Sequence, residues 1–233
     1  MTERPLVEPF GDAAFLVTLG DRIDEELNDR VHRLTRALVE RLLVTDGWGT
    51  IVPSYASLLV GYDPERLDHE RADRDLRTAL ITETEGARSD GGPSMDTRAE
   101  ASADPPVEIP VRYGGDDGPD LAHVATATQL DEAEVIGLHA DRIYRVFMLG
   151  FLPGFAYLGP LEQRLRLPRR SEVRPRVPRG SVAIAGEQTA VYPLETPGGW
   201  HIIGRTRLVL WDPAADPPAL LRAGQRVRFV PEA

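Results

Sequence analysis

One segment, residues 86–106, divides this 233-residue chain into two parts with different sequence patterns. The segment is rich in Gly, Pro, Ser, Asp and Ala and has almost no bulky apolar side chains. It therefore cannot contribute much to a packed core, and its composition is typical of a flexible linker. A chain of this length can form two small domains. We predict an N-terminal domain at residues 1–85 and a C-terminal domain at residues 107–233.

The N-terminal part shows the periodicities of strands and helices in turn. Residues 14–19 have a strand-like pattern, and apolar residues then recur every three or four positions over residues 27–42, which predicts an amphipathic helix. Residues 50–52 and 57–62 predict two further strands. Asp63-Pro64 is a typical helix start and predicts a second helix immediately after it. This order of elements predicts a small α+β sandwich, and nothing in it has the pattern of a catalytic site.

The C-terminal part has the pattern of a compact β-barrel or sandwich. It opens with an alternating strand at residues 107–113, followed by two short predicted helices around residues 120–126 and 131–140. Short apolar runs separated by Gly and Pro then continue to the end of the sequence, a spacing typical of barrels. These runs lie at residues 144–149, 181–185, 189–193, 200–203, 207–211 and 226–230.

The composition excludes several classes of chemistry. All 27 basic residues are Arg, so the chain alone has neither the Lys of a P-loop nor the Lys of a pyridoxal-phosphate Schiff base. With no Cys it has no thiolate nucleophile, no disulfide and no cysteine-ligated metal site. The usual metalloprotease, esterase and dinucleotide-binding motifs are missing, and the five His residues do not have metal-ligand spacing. We predict no metal site and identify no nucleophile.

The net charge is −10, and the excess of acid lies in the first part of the chain. Residues 1–106 contain 22 acidic residues and 12 Arg, whereas the remainder is balanced. An acidic chain is a poor candidate for nucleic-acid binding. Without a signal-like N-terminus or an apolar run of about 18 residues, we expect a cytoplasmic protein with no membrane partner. Codon bias or adaptation to a salty cytoplasm could explain a Lys-free acidic surface, and our hypothesis is salt adaptation.

Two stretches of the C-terminal part have an unusual composition. Residues 150–159 are predicted to be a loop and contain three aromatic residues and three Gly, a composition that favours either a hydrophobic plug on the barrel or the apolar wall of a cleft. From Arg164 to Arg179 there are seven Arg and one acidic residue, and prolines keep this arm extended. Its guanidinium groups could pair with an acidic surface of the chain or a partner, or bind an anionic substrate or nucleotide phosphate.

A third stretch, residues 183–206, consists of two predicted strands around the turn Thr196-Pro-Gly-Gly199. The paired glycines leave backbone N–H groups uncovered, so the turn is either a simple reversal or an anion-binding nest. Gln188, Tyr192 and Arg205 could supply further donors beside it.

These stretches closely resemble the family of the 5-oxoprolinase B subunit, also called KipI-like or allophanate hydrolase subunit 1, which forms subdomain C/D of the carboxyltransferase domain. The resemblance covers nearly the whole chain except the linker and is densest from His139 to Thr206. The matching motifs are Gly11-Asp-Ala-Ala, Pro53-Ser-Tyr, Tyr113-Gly-Gly, Gly118-Pro-Asp-Leu-Ala, Gly150-Phe-x-Pro-Gly-Phe-x-Tyr-Leu-Gly159, Pro168-Arg-Arg, Pro175-Arg, Val177-Pro-x-Gly-Ser-Val182, Gln188-Thr-x-Val-Tyr-Pro193, Thr196-Pro-Gly-Gly-Trp and Gly204-Arg-Thr206.

The resemblance implies an α+β protein in which a small N-terminal α+β sandwich precedes a cyclophilin-like β-barrel. It also implies a hydrolase component that is active only with two partners of the 5-oxoprolinase, the C subunit (KipA-like, allophanate hydrolase subunit 2) and the A subunit. The family reaction is the ATP-dependent opening of 5-oxoproline to L-glutamate, with ATP and Mg²⁺ bound with or by the partner. Because this chain offers no nucleophile and no Lys, a site at the seam with the KipA-like partner is favoured.

The positions that match the family motifs and could bind substrate or nucleotide are Arg169, Arg176, Gln188, Tyr192, Gly198, Gly199 and Arg205. The three arginines would balance phosphate or carboxylate charge, Gln188 and Tyr192 would orient the substrate, and the two glycines would offer backbone donors. The chain departs from the family at Arg179, where a small residue is usual, and at Ala183 and Ala190, where Gly is common. We assign no catalytic residue, and substrate preference stays open.

Two other functions fit the resemblance. The same two-component module occurs in the carboxyltransferase part of urea carboxylase, where a partner would have to carry the biotin because this chain has no Lys. A KipI-like inhibitor of a sensor histidine kinase would need only an interaction surface.

Overall fold

The computed structural model describes residues 5–89 and 105–232. The chain divides into two compact units, and the boundary between them lies between residues 103 and 104. The described part of the first unit contains four strands and two helices: β1 (Leu6–Pro9), β2 (Ala14–Thr18), α1 (Glu25–Leu42), β3 (Trp48–Pro53), β4 (Ser57–Tyr62) and α2 (His69–Ser89).

The strands of the first unit form an antiparallel sheet in the order β1-β2-β4-β3. Phe15 and Val17 of β2 are fully buried with Leu58 and Val60 of β4, since alternate residues of paired strands share a face. Both helices contribute to the same apolar cluster, which makes this unit a layer of helices on a sheet. The predicted α+β sandwich is confirmed, and β1 adds an edge strand that the sequence pattern does not predict.

Helix α1 forms where its periodicity predicts. Asp24 caps it by accepting a hydrogen bond from Leu27 N at 2.9 Å, and Val31 and Leu38 lie on its fully buried face. Asn28 is also fully buried, and its amide donates to the carbonyl oxygens of the Ser54–Tyr55 turn at 3.0 and 3.1 Å. This polar contact fixes the helix against the β3–β4 connection.

Helix α2 begins later than Asp63-Pro64 predicts. Asp63 instead forms a turn, in which its carboxylate accepts from Glu65 N, and the helix begins at His69. Asp68 caps it by accepting from Arg71 N at 2.9 Å. The helix continues to Ser89, into the segment predicted as a linker. Residues 90–104 of that segment lie outside the described residues, so the linker and the domain boundaries stay predictions.

The second unit contains two helices and nine strands among its described residues. They are β5 (Val107–Tyr113), α3 (Leu121–Thr128), α4 (Glu132–Ala140), β6 (Ile143–Leu149), β7 (Ala156–Gly159), β8 (Arg174–Val177), β9 (Ser181–Ala185), β10 (Gln188–Val191), β11 (Thr196–Gly198), β12 (His201–Arg205) and β13 (Arg226–Pro231).

Seven of these strands close into a barrel in the order β10-β7-β6-β13-β5-β12-β9, and β8 and β11 pair separately as a short ribbon. The interior of the barrel is filled by buried aliphatic and aromatic side chains, among them Ile109, Tyr144, Leu158, Ile184 and Phe229. The predicted β-barrel is therefore confirmed.

Two local predictions in this unit are wrong. Residues 207–211, predicted as a strand, form only an isolated bridge between Trp211 and Ala219, because no barrel strand lies beside them to complete a ladder. Residues 150–159 are not a loop throughout, since they end in strand β7.

No helix among the described residues of either unit is long and apolar enough to cross a membrane.

Candidate functional site

A second apolar cluster lies on the outer side of one wall of the barrel. Val182 and Ile184 of β9 point into the barrel core, so the alternating Ala183 and Ala185 must face outward. There they join the second cluster, which we call the aromatic face. Its buried members are Phe155, Val177, Ala183, Ala185, Ala190, Tyr192, Trp200 and Ile202, with Leu152 and Tyr157 packed against them.

Phe155 is the centre of the aromatic face. Its ring centroid lies 4.9 Å from that of Tyr157, 5.4 Å from Tyr192 and 6.0 Å from Trp200, and each of these pairs meets edge to face. Phe151 contacts it from the preceding loop at 5.4 Å. Phe151 is 62% exposed and has a φ of 66°, a strained conformation for a bulky residue. The stretch 150–159 therefore packs the buried Phe155 ring onto the outside of the barrel, as the hydrophobic plug would, and leaves the Phe151 ring exposed at its edge.

Small residues of β9 and β10 form the floor of this face and are covered by its rings. Ala190 pairs with Tyr157 across β10 and β7, and Gln188 pairs with Ala185 across β10 and β9. Directly paired residues share a face of the sheet. Gln188 therefore lies on the same side as the aromatic rings.

Tyr192 is held under the last residue of β11, Gly198. A Cβ atom at Gly198 would lie 2.4 Å from the Tyr192 hydroxyl oxygen, so only glycine allows this approach. Burial raises the pKa of Tyr192, and a hydrogen bond from the Trp200 backbone and the charge of Arg169 partly offset that effect. The phenol is therefore neutral at physiological pH. Because Tyr192 is 2% exposed, it fixes neighbouring groups rather than meeting a ligand directly.

Arg169 lies at the edge of the aromatic face. Burial raises the pKa of Tyr157, and the positive charge of Arg169 opposes that rise, as it does for Tyr192. The guanidinium is therefore close to both phenols. Arg169 is exposed, and it has no ion pair with a carboxylate among the described residues. Its charge is available to an anion.

A depression of about 530 Å³ adjoins Arg169, and His123, His201 and Arg170 also line it. The two imidazole rings are stacked, with centroids 5.4 Å apart and planes 17° apart. His201 Nε2 lies 2.9 Å from the carbonyl oxygen of Pro168 and donates to it, whereas its buried Nδ1 has no partner within the described part of the chain. A volume of this size is typical of small-molecule sites.

The neighbouring arginines of the arm are neutralised inside the protein. Asp120, 4% exposed at its side chain, accepts from Arg170 Nη1 at 2.7 Å and from both Nη atoms of Arg174 at 2.7 Å. It also accepts from Ile202 N at 2.7 Å. Burial raises the pKa of Asp120, but these hydrogen bonds and the two positive charges outweigh it and hold the pKa below its usual range.

The family model for the carboxyltransferase domain, subdomains C and D, matches residues 5–221. The chain belongs to this family. The resemblance derived from the motifs is thereby confirmed, and those motifs include the Gly118-Pro-Asp stretch that carries Asp120.

Relatives of this carboxyltransferase-domain chain share one name. The 5-oxoprolinase B subunit of Bacillus subtilis (strain 168) is 41% identical over 99% of this chain and 94% of its own length. The 5-oxoprolinase B subunit of Escherichia coli O157:H7 is 59% identical over 126 residues, which are 54% of this chain and 58% of that protein. The shared name denotes one component of a complex with other subunits.

Solved structures share the fold. TTHA0988 superposes with a TM-score of 0.76 at 38% identity over 98% of this chain, which spans only 40% of that longer chain. The conserved uncharacterized protein PH0987 from Pyrococcus horikoshii gives a TM-score of 0.55 at 42% identity, with 97% of each chain covered. The K. lactis urea amidolyase, at 22% identity and a TM-score of 0.71 over 98% of this chain and 15% of that one, shares the fold alone.

The structure brings together four of the seven binding residues predicted from the sequence. Arg169, Gln188, Tyr192 and Gly198 lie on or beside the aromatic face. The carbonyl oxygen of Gly199 accepts from Arg170 N at 2.8 Å and so holds the arm in place.

The other two predicted residues lie elsewhere. Arg176 forms an exposed ion pair with Glu195, with Nη2 and Oε1 2.7 Å apart. Arg205 lines a different depression.

Neither Gly198 nor Gly199 has a positive φ, so they do not form a nest of alternating left- and right-handed residues. The binding roles of all seven residues stay predictions.

Asp120 is absent from the set predicted from the sequence. Asp120 lies at the start of α3 within the motif Gly118-Pro-Asp-Leu-Ala, and its side chain makes no cap hydrogen bond. Within the described residues, no group of three or more His, Asp or Glu is arranged to hold a metal ion. Among the described residues, the site therefore offers the exposed ring of Phe151, the guanidinium of Arg169 and the neutral, half-buried phenol of Tyr157, which suit binding and orientation of a small anion.

Proposed function

We propose that this chain is a component of an ATP-dependent 5-oxoprolinase, active only with the C and A subunits of that enzyme. The observation that supports this most strongly is the match to the Bacillus subtilis 5-oxoprolinase B subunit along 99% of the chain at 41% identity. In this proposal the complex opens 5-oxoproline to L-glutamate while ATP is converted to ADP and phosphate.

The reaction needs activation of a poor electrophile. Transfer of the terminal phosphoryl group of ATP to the lactam oxygen converts that oxygen into a good leaving group. Water then attacks the former carbonyl carbon, and the ring C–N bond breaks as the nitrogen takes up a proton, which leaves an acyl phosphate. A second water molecule hydrolyses this acyl phosphate to the carboxylate and inorganic phosphate. ATP and its Mg²⁺ are assigned to the side of the site that the partner supplies, because the aromatic face and its surroundings offer no cluster of metal ligands among the described residues.

The proposed task of this chain is to bind and orient 5-oxoproline. Arg169 has an uncommitted guanidinium at the edge of the aromatic face, near Tyr157, so it would bind the substrate carboxylate by paired hydrogen bonds. Tyr157, half-buried and protonated, would donate to the lactam oxygen. Gln188 lies on the same face and would complete the orientation of the ring, while the rings around Phe155 exclude water.

Tyr192 would act as a positioning residue. Its buried hydroxyl fixes the Gly198–Trp200 backbone, and that backbone in turn holds the arm that carries Arg169, through the hydrogen bond between Gly199 and Arg170. Loss of this hydroxyl would displace the groups that touch substrate.

Reconstitution tests the proposal. This chain, purified with its candidate C and A partners, should release ADP and glutamate together only when 5-oxoproline and all components are present. Omission of any component should abolish both products. If the folded, complete complex leaves 5-oxoproline unchanged, the proposal is wrong. A biotin-dependent carboxyltransferase or an inhibitor of a histidine kinase would then be the next functions to assay.

The role of Arg169 has its own test within that assay. Arg169→Ala should raise the KM for 5-oxoproline at least about tenfold, since a charge-assisted pair with the carboxylate is lost. The matched control is Arg164→Ala, because Arg164 is an exposed arginine of the same arm, paired with Glu134 at 3.8 Å. An equal effect of both changes would show that the arm acts through overall charge only.

A further inference from the structure

Four arginines line a second depression, of about 410 Å³, away from the aromatic face. They are Arg112 of β5, Arg179 of the turn before β9, Arg205 at the end of β12 and Arg207 just beyond it. Asp117 is the one acidic side chain that lines the depression with them. None of these residues belongs to the aromatic face. We call this feature the arginine depression.

The backbone of the arginine depression is fixed by short contacts between its three segments. Arg112 and Arg205 are directly paired residues of β5 and β12. Gly180 has a φ of 83°, and a Cβ atom there would lie 2.2 Å from the carbonyl oxygen of Thr206. Thr206 N donates to Gly180 O at 2.9 Å, and Arg205 Nε donates to Arg179 O at 3.0 Å. The four side chains therefore start from well-defined positions.

The charges in the arginine depression are poorly compensated. Arg112 Nε lies 3.6 Å from Glu232, which is a loose ion pair. The guanidinium groups of Arg179 and Arg207 have no hydrogen bond or ion pair to any residue that the structure describes. Like charges directly opposite one another in a sheet, such as Arg112 and Arg205, are destabilising. A bound anion would remove this repulsion.

We propose that the arginine depression binds a small molecule with at least two negative charges on phosphoryl or carboxylate oxygens. Guanidinium groups offer planar paired donors that match such oxygens, and the outer nitrogens of Arg205 remain available while its Nε is held by Arg179 O. The inference is separate from the proposed function and holds whether or not 5-oxoproline is the substrate.

Calorimetric titration of the full chain tests the proposal with three probes at equal ionic strength: pyrophosphate, citrate and chloride. Pyrophosphate or citrate should bind with a stoichiometry of about one and raise the melting temperature in a saturable way. Chloride should do neither. Preference for pyrophosphate would identify a phosphorylated ligand, and preference for citrate a polycarboxylate. If neither binds more tightly than chloride, the proposal is overturned.

A pair of double variants separates the site from general salt effects, because multivalent anions also stabilise proteins by exclusion from the surface. Arg179→Ser with Arg207→Ser should weaken binding at least about tenfold. The control, Arg164→Ser with Arg222→Ser, removes the same charge from exposed positions outside the depression and should change binding less than about twofold. In anion-free buffer the first double variant should melt no lower than the wild type, since it removes repulsion. Equal losses of binding in both variants would overturn the proposal.

Discussion

The buried carboxylate of Asp120 forms an ion pair with the partly buried guanidinium of Arg174, and both Nη atoms of Arg174 lie 2.7 Å from the carboxylate oxygens. The two residues are 54 positions apart in the sequence. Arg170 and the backbone of Ile202 donate to the same carboxylate. This one side chain therefore joins the start of α3, the arginine arm and strand β12, and it orients the segment that carries Arg169.

Asp120→Asn should destabilise the chain by about 3–5 kcal/mol, because it leaves two largely buried guanidinium groups without their counter-charge. Urea unfolding at neutral pH measures this change as a lower midpoint. Glu195→Gln is the matched control, since it removes the exposed carboxylate that pairs with Arg176, and it should cost less than about 1 kcal/mol. Similar losses in the two variants would mean that the Asp120 network contributes no more than a surface pair.

His139 is a buried neutral imidazole that joins a helix to two barrel strands. Thr189 Oγ1 donates to the carbonyl oxygen of Ala183, so it must accept from His139 Nε2, 2.8 Å away. Nδ1 then accepts from the Tyr113 hydroxyl at 2.7 Å. Burial lowers the pKa of His139 from its ordinary 6.5 to about 3. These two hydrogen bonds give His139 a structural role, since they hold its helix against strands β5 and β10.

The stability of the chain should therefore fall as the pH drops below 6.5. The unfolded state takes up a proton on His139 in this range while the folded state does not, so unfolding is favoured by about 2 kcal/mol more at pH 5 than at pH 7. His139→Gln should be less stable at neutral pH but should lose less stability on acidification. Thr189→Val, which keeps the imidazole, should retain the pH dependence. Urea unfolding at both pH values measures each slope, and equal slopes for wild type and His139→Gln would contradict the assignment.

Gly198→Ala should disturb the candidate site, and Gly199→Ala should not. The added Cβ at Gly198 would lie 2.4 Å from the Tyr192 hydroxyl, whereas the nearest atom to a Cβ at Gly199 is 3.7 Å away. The first change forces displacement of Tyr192 or of the backbone and should cost about 1–3 kcal/mol. Thermal unfolding measures both variants. A stable Gly198→Ala protein would show that the chain there moves freely.

The sequence predicted the architecture well because strands and helices depend on local patterns. The apolar runs located most barrel strands, and the spacing of apolar residues located α1. The pattern failed at residues 207–211, because a strand also needs a partner and the run itself carries no information about one. It failed at Asp63-Pro64 because Asp68 supplies a competing cap five residues later in the chain.

The candidate site could be predicted only in part, because ion pairing depends on distant residues. The composition of the arm indicated anion binding, but nothing in it distinguishes Arg169, which keeps a free charge, from Arg170 and Arg174, which Asp120 neutralises. The strand register placed Gln188 beside the aromatic rings. The close approach of Gly198 to Tyr192 explains that glycine better than a backbone anion nest does.

Arg176→Ala tests whether an exposed arginine of the predicted set has a function. Arg176 is 76% exposed at its side chain, and its partner Glu195 is 51% exposed, so the change should alter the free energy of unfolding by less than about 1 kcal/mol. If Arg176 binds substrate or nucleotide, the activity of the reconstituted complex should fall strongly while the melting temperature stays constant. Parallel losses of activity and melting temperature would make Arg176 a structural residue.

Salt dependence tests the origin of the acidic, Lys-free surface. Residues 1–106 carry 22 acidic residues against 12 Arg, and several ion pairs of the first unit are exposed, such as Arg66 with Asp46 and Arg71 with Asp75. Such exposed pairs contribute little to the free energy of unfolding. Repulsion among the remaining carboxylates should therefore destabilise this unit at low ionic strength. If the chain is salt-adapted, circular dichroism should show partial unfolding in salt-free buffer and recovery at about 1 M KCl, where charges are screened within about 3 Å. A fully folded chain without salt would contradict salt adaptation and leave codon bias as the explanation.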